Sequence, residues 1–439
     1  MGGRRILGKS HDREWASIVN EFISGVRSGI PAMTLLGMME GSQPIPSDRL
    51  VTLANWQEPP SNRWSFQHVR EIVPTAPIRR GRGPQWLLAR DERDLDKLTF
   101  TSGETRWSVE EFLDASETDG FLVLHRGRIV VEKYFNNMTE DRSHLLQSVS
   151  KSITGAVAGC LAGRGVLDVN ARLEVLIPEL GETSFRGATV QHLLDMRTGT
   201  KFNEDYDDPQ ADVRLFEQVY QWRPRVDVSL PEDALSYFAT LTNDEAHGGE
   251  FRYRSILTNV LAWVIERAGD ARFHEVVARE LWGPMGAEFD AEVTLDGRGN
   301  AMADGGFSTT LRDLGRFGLL QLNGGKRGPD EVIPSSWVND TIRGTSDGRA
   351  AFAHSAASRG FPTGAHYRNY WWVYDPHAPL LFGAGIYGQN LFVHAPTQTV
   401  VAKFSTWPTP LDEAKQSAAR DATVAIGTFL EAQHASGRS

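Results

Sequence analysis

The chain has 439 residues, a formal net charge of −10 and one cysteine, Cys160. Its length suits two interleaved domains rather than one ordinary core, and 40% hydrophobic with 23% charged residues is the composition of a globular protein. The negative balance, with no basic run, excludes a general nucleic-acid or anionic-membrane partner. A single cysteine excludes an intrachain disulfide, and its place in an apolar helical stretch predicts a buried structural thiol.

Residues 1–55 form an N-terminal extension. "REWASIVNEFISGV" has helical spacing at Trp15, Ile18, Val19, Phe22 and Ile23. Nothing here has the apolar run of a secretory signal, and no stretch reaches the ~20 apolar residues of a membrane span, so a cytoplasmic location is expected. "NWQEPPSNRWSFQHVREIVPT" is rich in Trp and Pro and predicts a wrapping segment whose tryptophans pack. "GFLVLHRGRIVVEKYF" predicts a β-hairpin around Arg126-Gly127. A helix beginning near Ser148 follows and stops at Gly163 and Gly165. "ATVQHLLDMRTGTKF" predicts a helix stopped near Gly199, and residues 258–270 an amphipathic helix. Another helix ends at Gly324-Gly325. "YWWVYD", "PLLFGAG", "NLFVHA" and "TVVAKFS" alternate as antiparallel strands before a C-terminal helix.

Strands at both ends with helices between predict an α/β (α+β) chain, with one sheet built from both termini and an inserted helical domain. The expected division is 1–55 extension, 56–168 first part of the α/β domain, 169–280 helical domain and 281–439 second part of the α/β domain.

Three short stretches carry chemistry. In "SVSK", Ser148 and Lys151 share a helical face, so the ammonium reaches the hydroxyl. The helix start stabilises negative charge on oxygen, and the same field, with burial, is expected to push the lysine down toward ~7–8, where it is a base near neutrality. The same residues also fit a helix cap and a solvated lysine. In "FRYRS", Tyr253 and Ser255 precede a helix, where a tyrosine hydroxyl can relay a proton; a half-buried aromatic is the plainer reading. In "GAGIYGQN", residues 383–390, the glycines admit a close backbone approach. A backbone N–H there and that of Ser148 can form an oxyanion hole; a bulge or turn also fits. His125, His144, His192 and His247 lack ligand spacing, so no metal and no cofactor is expected.

In this order the stretches resemble the serine β-lactamase and penicillin-binding-protein superfamily, in its class C-like and family VIII esterase branch. "YRS" resembles the Tyr-x-Asn motif with Ser255 for Asn, "TVQHLLDMRTGT" the HLL-x-HTSG stretch, and "DGGFSTTLRDLGRF" the GG-x-x-S-T-x-x-DL stretch. "NWQEPPSNRWSF", "HLLQSVSKS", "FNEDYDDP", "GIYGQN" and "STWP" further resemble the 6-aminohexanoate-dimer (nylon-oligomer) hydrolases, from about residue 55 to the end.

The resemblance implies a β-lactamase/transpeptidase-like fold and a serine hydrolase acting on esters or linear amides. It makes Ser148 the nucleophile, Lys151 the base partner and Tyr253 the proton donor to the leaving group. It places Tyr206 on the scissile group, the N–H groups of Ser148 and Ile386 on the oxyanion, Trp372 on the acyl pocket wall and Glu217 at a substrate ammonium. The Lys-Thr-Gly motif is replaced by Gly383-Ala384-Gly385, which implies poor β-lactam turnover. Tyr387 stands where the nylon-oligomer enzymes commonly carry a histidine. The acidic residues Glu204, Asp205, Asp207, Asp208, Asp212 and Glu217 fit either a preference for amine-bearing substrates or a solvated loop. The expected partner is a small-molecule ester or amide, and a homodimer stays open as the assembly. A short-chain carboxylesterase, a D-amino-acid peptidase and an inactive binding protein on the same fold remain alternatives.

Overall fold

The computed structural model describes residues 37–40 and 43–436. The helix expected over 13–26 lies outside them. The chain divides into two compact units, Met1–Thr52 and Leu53–Ser439. In the first, the described residues form turns, tied by a hydrogen bond from Met39 N–H to the Arg49 carbonyl (2.9 Å).

The second unit is built on a mixed sheet of eight strands among the described residues. In chain order these are β1 Ala89–Arg90, β2 Thr118–His125, β3 Arg128–Tyr134, β4 His366–Arg368, β5 Trp371–Asp375, β6 Leu380–Gly385, β7 Gln389–His394 and β8 Thr399–Ser405. Their spatial order is β4-β5-β6-β7-β8-β2-β3-β1, antiparallel except for the parallel pair β1–β3. Early and late strands therefore meet at β8–β2, where Val401 lies opposite Val123. The hairpin β2–β3 turns at Arg126 (φ 50°) and Gly127 (φ 75°). Positive φ at both central residues is what a two-residue turn between twisted strands requires.

One face of this sheet carries the core packed under helices α1, Val109–Ala115, and α6, Glu413–Ser436. Phe112 and Leu113 from α1 and Ala418, Ala422, Ile426 and Leu430 from α6 bury against Phe121, Val123, Phe392 and Val401. The other face is covered by α5, Leu311–Leu322. Its Gly315 and Gly318 face Leu122 and Val400 so closely that a Cβ at either would come within 2.5 Å of a side-chain carbon, so the helix lies almost directly on the sheet. The helix α2, Ser150–Gly163, is buried along nearly its whole length, as its apolar character on all sides predicts. It stops at Gly163, with Gly165 left-handed (φ 70°). Cys160 is buried on it and burial pushes its thiol up to about 12, an unreactive state.

Between the sheet's two halves in sequence lie mostly helices, including α3, Asp212–Val219, and α4, Ile256–Gly269. The helix expected to run toward Gly199 covers only Val190–Leu194. Met196 is left-handed (φ 54°) and the Arg197 N–H bonds back to the His192 carbonyl (2.8 Å), which closes the helix early. Trp56 is fully buried, edge-on to Trp222 at 5.0 Å, and donates its indole N–H to the Trp222 carbonyl (2.7 Å). Among the described residues no helix is long and apolar enough to cross a membrane.

A second sheet orders the strands Thr75–Ile78, Ala291–Thr294, Phe307–Thr309 and His144–Leu145. It pairs Leu145 with Ser308 and ties Leu146 N–H to the Phe307 carbonyl (2.8 Å). The segment entering Ser148 is thereby registered against the segment leaving Asp304.

Lys403 on β8 is a buried amine on the α1 face, over the Phe112 ring at 5.5 Å and hydrogen-bonded to Ser405. Burial pushes it down to about 7, against the pull of Asp119 and Glu117. An unfolded lysine keeps its proton to ~10.4. Between the two values the unfolded chain holds a proton that the folded chain has shed, so stability rises as pH goes from about 7 to about 10. Below about 7 the cost of the buried charge is fully present. Lys403→Met is expected to stabilise the fold at pH 7 by a few kcal/mol at most. That gain should shrink toward pH 10; urea unfolding of both proteins at pH 7 and 9.5 measures it.

Candidate active site

Ser148 occupies a single 3-10 turn, Gln147–Val149, directly before α2. Lys151 lies three residues on, and its ammonium donates to Ser148 Oγ at 2.8 Å and to the Asp304 carbonyl at 2.9 Å. The Asp304 carboxylate stands 3.9 Å away. Lys151 is 1% exposed. The spacing that suggested a shared face therefore does bring the two groups into contact, although the α-helix proper starts two residues later than expected.

Tyr253 comes from the segment before α4. Arg254 fixes that segment, donating to the Thr198 carbonyl (2.9 Å) and to Glu245 (3.1 Å). The Tyr253 hydroxyl lies close enough to Ser148 and Lys151 for both to act on it, and the Lys151 nitrogen lies 5.1 Å from its ring centroid. The same helix sets the opposite wall. Asn259 accepts from Ala303 N–H (2.8 Å) and donates to Asp304 (2.8 Å), holding the Asp304 loop against Lys151.

β6 forms the third wall. A Cβ on Gly385 would lie 3.0 Å from Ser148 N, and one on Gly383 would lie 3.0 Å from Ser152 Oγ. The two glycines let the strand run against the turn that carries Ser148, which brings Ile386 beside it. Trp372 on β5 stacks on Tyr253, centroids 5.7 Å apart.

The electrostatics differ from the sequence expectation. Burial pushes Lys151 down, but negative charge on Tyr253 and the carboxylates of Asp304 and Glu204 outweigh it and hold Lys151 above the usual lysine range. The lysine is therefore not tuned toward neutrality by the helix field and burial, as its place in the sequence led one to expect. Burial also pushes Tyr253 up, opposed by the Lys151 charge. Lysine and tyrosine thus form one coupled acid–base pair around the serine oxygen.

Glu204 was read only as part of an acidic stretch, yet it sits beside the site. Its carboxylate accepts from Ser255 N–H (2.9 Å), from the Ser255 hydroxyl and from the Tyr206 hydroxyl (2.8 Å). Burial pushes it up, against Lys151 and these donors. Ser255 and Tyr206 are therefore joined through an unforeseen carboxylate. The sequence signal was the acid two residues before Tyr206 in "NEDY".

Glu217 is 3% exposed, and its carboxylate is held within the protein. Arg214 donates to both oxygens (3.0 and 2.9 Å) and Arg223 Nε to one (2.5 Å). Arg214 also donates to the Tyr206 carbonyl (2.7 Å) and lies over the Tyr206 ring. The charge that would meet a substrate ammonium is compensated by two guanidinium groups. Tyr387, next to Ile386, is buried edge-on to Phe66 at 5.4 Å, and the charges of Arg214, Glu217 and Arg223 all act on its hydroxyl. The acids of the preceding loop hold the loop itself: Asp205 accepts from Asp207 N–H and Asp208 from Gln210 N–H within their own turns, and Asp212 accepts from Asn203 N–H. Among the described residues no group of three histidine, cysteine or acidic side chains could hold a metal ion.

The beta-lactamase family profile matches residues 109–426. The 6-aminohexanoate-dimer hydrolase of Paenarthrobacter ureafaciens is 37% identical over 359 residues, which is 82% of this chain and 89% of that protein. Among solved structures, "Putative 6-aminohexanoate-dimer hydrolase from Bacillus anthracis" superposes with a TM-score of 0.78 at 27% identity, covering 88% of this chain and 99% of that one. EstCE1, described as a hydrolase with promiscuous acyltransferase activity, shares the fold at a TM-score of 0.55 and 16% identity, over 72% and 96% of the two chains.

Proposed function

The chain belongs to the beta-lactamase family and is a serine hydrolase, and on that premise we propose that it cleaves carboxylic esters and linear amides of the 6-aminohexanoate-oligomer type through an acyl-Ser148 intermediate. The 2.8 Å contact between Lys151 Nζ and Ser148 Oγ, with the Tyr253 ring beside the ammonium, carries the reading.

In enzyme whose coupled Lys151–Tyr253 pair has already lost one proton, the serine proton passes into that pair as Oγ attacks the carbonyl carbon. The oxyanion forms against the N–H groups of Ser148 and Ile386, each worth ~3 kcal/mol of barrier. Tyr253 then returns a proton to the leaving nitrogen or oxygen as that bond breaks, leaving the acyl-serine. Water enters and gives its proton to the same pair, which passes it to Ser148 Oγ as the acyl bond breaks and the acid leaves. Asp304 and Glu204 act at a distance, holding a positive charge on Lys151 that steadies the developing oxyanion.

The test pairs p-nitrophenyl acetate with the linear 6-aminohexanoate dimer and follows the acyl-enzyme by intact-protein mass. Hydrolysis of both with acylation mapped to Ser148 supports the reading. Ester cleavage alone restricts it to an esterase. Tyr253→Phe is expected to split the two substrates. Nitrophenolate leaves without a proton, so the ester should lose about tenfold or less; the amine must be protonated, so the amide should lose ~10²–10⁴-fold in kcat. Equal losses would place Tyr253 outside leaving-group protonation.

A further inference from the structure

Around Ser148, on the side bounded by Tyr387, the charges do not cancel. Two guanidinium groups, Arg214 and Arg223, face one carboxylate, Glu217, which leaves one net positive charge. Arg214 is committed to Glu217 and the Tyr206 carbonyl. Arg223 is engaged through Nε alone among the described residues, and its side chain is partly exposed. Its two terminal nitrogens keep their donors for something else.

A second group on the same side also lacks a partner. Gln147, the residue before the nucleophile, is 3% exposed, and its amide nitrogen is buried without a hydrogen bond. The backbone there is left-handed (φ 47°), a conformation costly for a non-glycine residue and found at sites that must aim a side chain. Its amide oxygen and the far edge of the Trp222 ring both lie 3.6 Å from the position of a Cβ on Gly305. The Gln147 amide and the Trp222 ring thus meet over Gly305, one belonging to the residue before Ser148 and the other to the residue before Arg223. A buried donor with no acceptor is costly, and a bound acceptor removes that cost.

We propose that Arg223 and the Gln147 amide, backed by the Arg214–Glu217 pair, form a subsite for a carboxylate carried by the substrate, so that this enzyme selects acids bearing an ester or amide over amine-bearing ones. The inference rests on the acyl-serine reading above. It reverses the part expected of Glu217: the acid serves to orient two arginines, not to meet an ammonium. The acidic loop does not overturn this, because the carboxylates of Asp205 and Asp208 are spent on their own turns and Asp205 and Asp207 are exposed to screening water. Glu204 and Asp304 both act on Lys151, and burial pushes both acids up, which disfavours their charged forms.

The test uses p-nitrophenyl esters of equal reach: neutral hexanoate, cationic 6-aminohexanoate and the anionic monoester of adipate. A second arm places the charge on the leaving side, with 4-acetoxybenzoate against 4-acetoxybenzamide. The expected result is a kcat/KM advantage of about five- to tenfold for the anion over its neutral or cationic counterpart in at least one arm. Arg223→Gln should abolish that ratio, Arg223→Lys restore part of it, and added salt reduce it. The arm that responds says which end of the substrate the subsite reads. A preference for the cation in the wild type, or ratios that Arg223→Gln leaves unchanged in both arms, overturns the proposal. Absence of turnover with the neutral ester would instead count against the acyl-serine reading.

Discussion

Ser148→Ala is expected to lower kcat by at least ~10⁴-fold on ester and amide alike, and to leave the melting temperature within a few degrees. The size of the loss follows from the absence of a substitute. Ser150 and Ser152, the nearest hydroxyls on α2, are committed elsewhere: Ser152 donates to the Tyr370 carbonyl (2.8 Å), and Ser150 accepts from Phe307 N–H (3.3 Å). The fold survives because Lys151 keeps its bond to the Asp304 carbonyl and its two carboxylate neighbours. Lys151→Met, by contrast, would strand Asp304 and Glu204 as buried acids without a counter-charge, so it should lose stability along with turnover. Steady-state rates with intact-mass detection of the acyl-enzyme check the prediction. A variant that still acylates elsewhere on the chain would remove Ser148 from the nucleophile's place.

Much of this was readable in advance, for identifiable reasons. The β2–β3 hairpin, α4 and the run of strands from Trp371 to Ser405 were legible because each has a local rule: a two-residue turn, a helical apolar stripe, an alternation. Ser148 and Lys151 were legible because their contact is local, three residues apart. The groups that were missed act across the chain. Glu204 reaches Ser255 over 51 residues, and Asp304 reaches Lys151 over 153. No short-range pattern encodes those pairings. The same holds for the direction in which Lys151 is shifted, which depends on carboxylates from two other segments. Glu217 shows the opposite hazard. Its partner Arg214 is one helical turn away and could have been paired with it from the sequence, but Arg223, six residues on, comes back only because the chain turns after α3.

Gly385→Ala is the sharpest test of the oxyanion wall, and kcat is expected to fall ~10²–10³-fold with KM little changed. Backbone strain is not the reason, since Gly385 has ordinary extended angles (φ −121°, ψ 147°). Space is. An added Cβ would lie 2.6 Å from the Leu146 carbonyl oxygen, 2.9 Å from Gln147 Cβ and 3.0 Å from Ser148 N. Two of these three atoms are backbone, so they cannot rotate away. The strand is no freer to move, because Gly385 is in register with Gln389 on β7. Relief therefore requires β6 and the Ser148 turn to separate by a good fraction of an ångström, which moves Ile386 N–H off the position proposed for the oxyanion. A misplacement of about 1 Å is enough to cost ~10²-fold. Gly383→Ala supplies the comparison. Its Cβ would meet a hydroxyl and a methyl, Ser152 Oγ at 3.0 Å and Val149 Cγ1 at 3.4 Å, and side-chain ends can yield. That variant should lose tenfold or less. The affinity of a boronic acid, which mimics the tetrahedral intermediate on Ser148, should fall in parallel with kcat for Gly385→Ala and hardly at all for Gly383→Ala. If Gly385→Ala lowers the melting temperature yet keeps kcat and boronate affinity, the glycine serves packing alone, and the oxyanion donors must be sought elsewhere around Ser148.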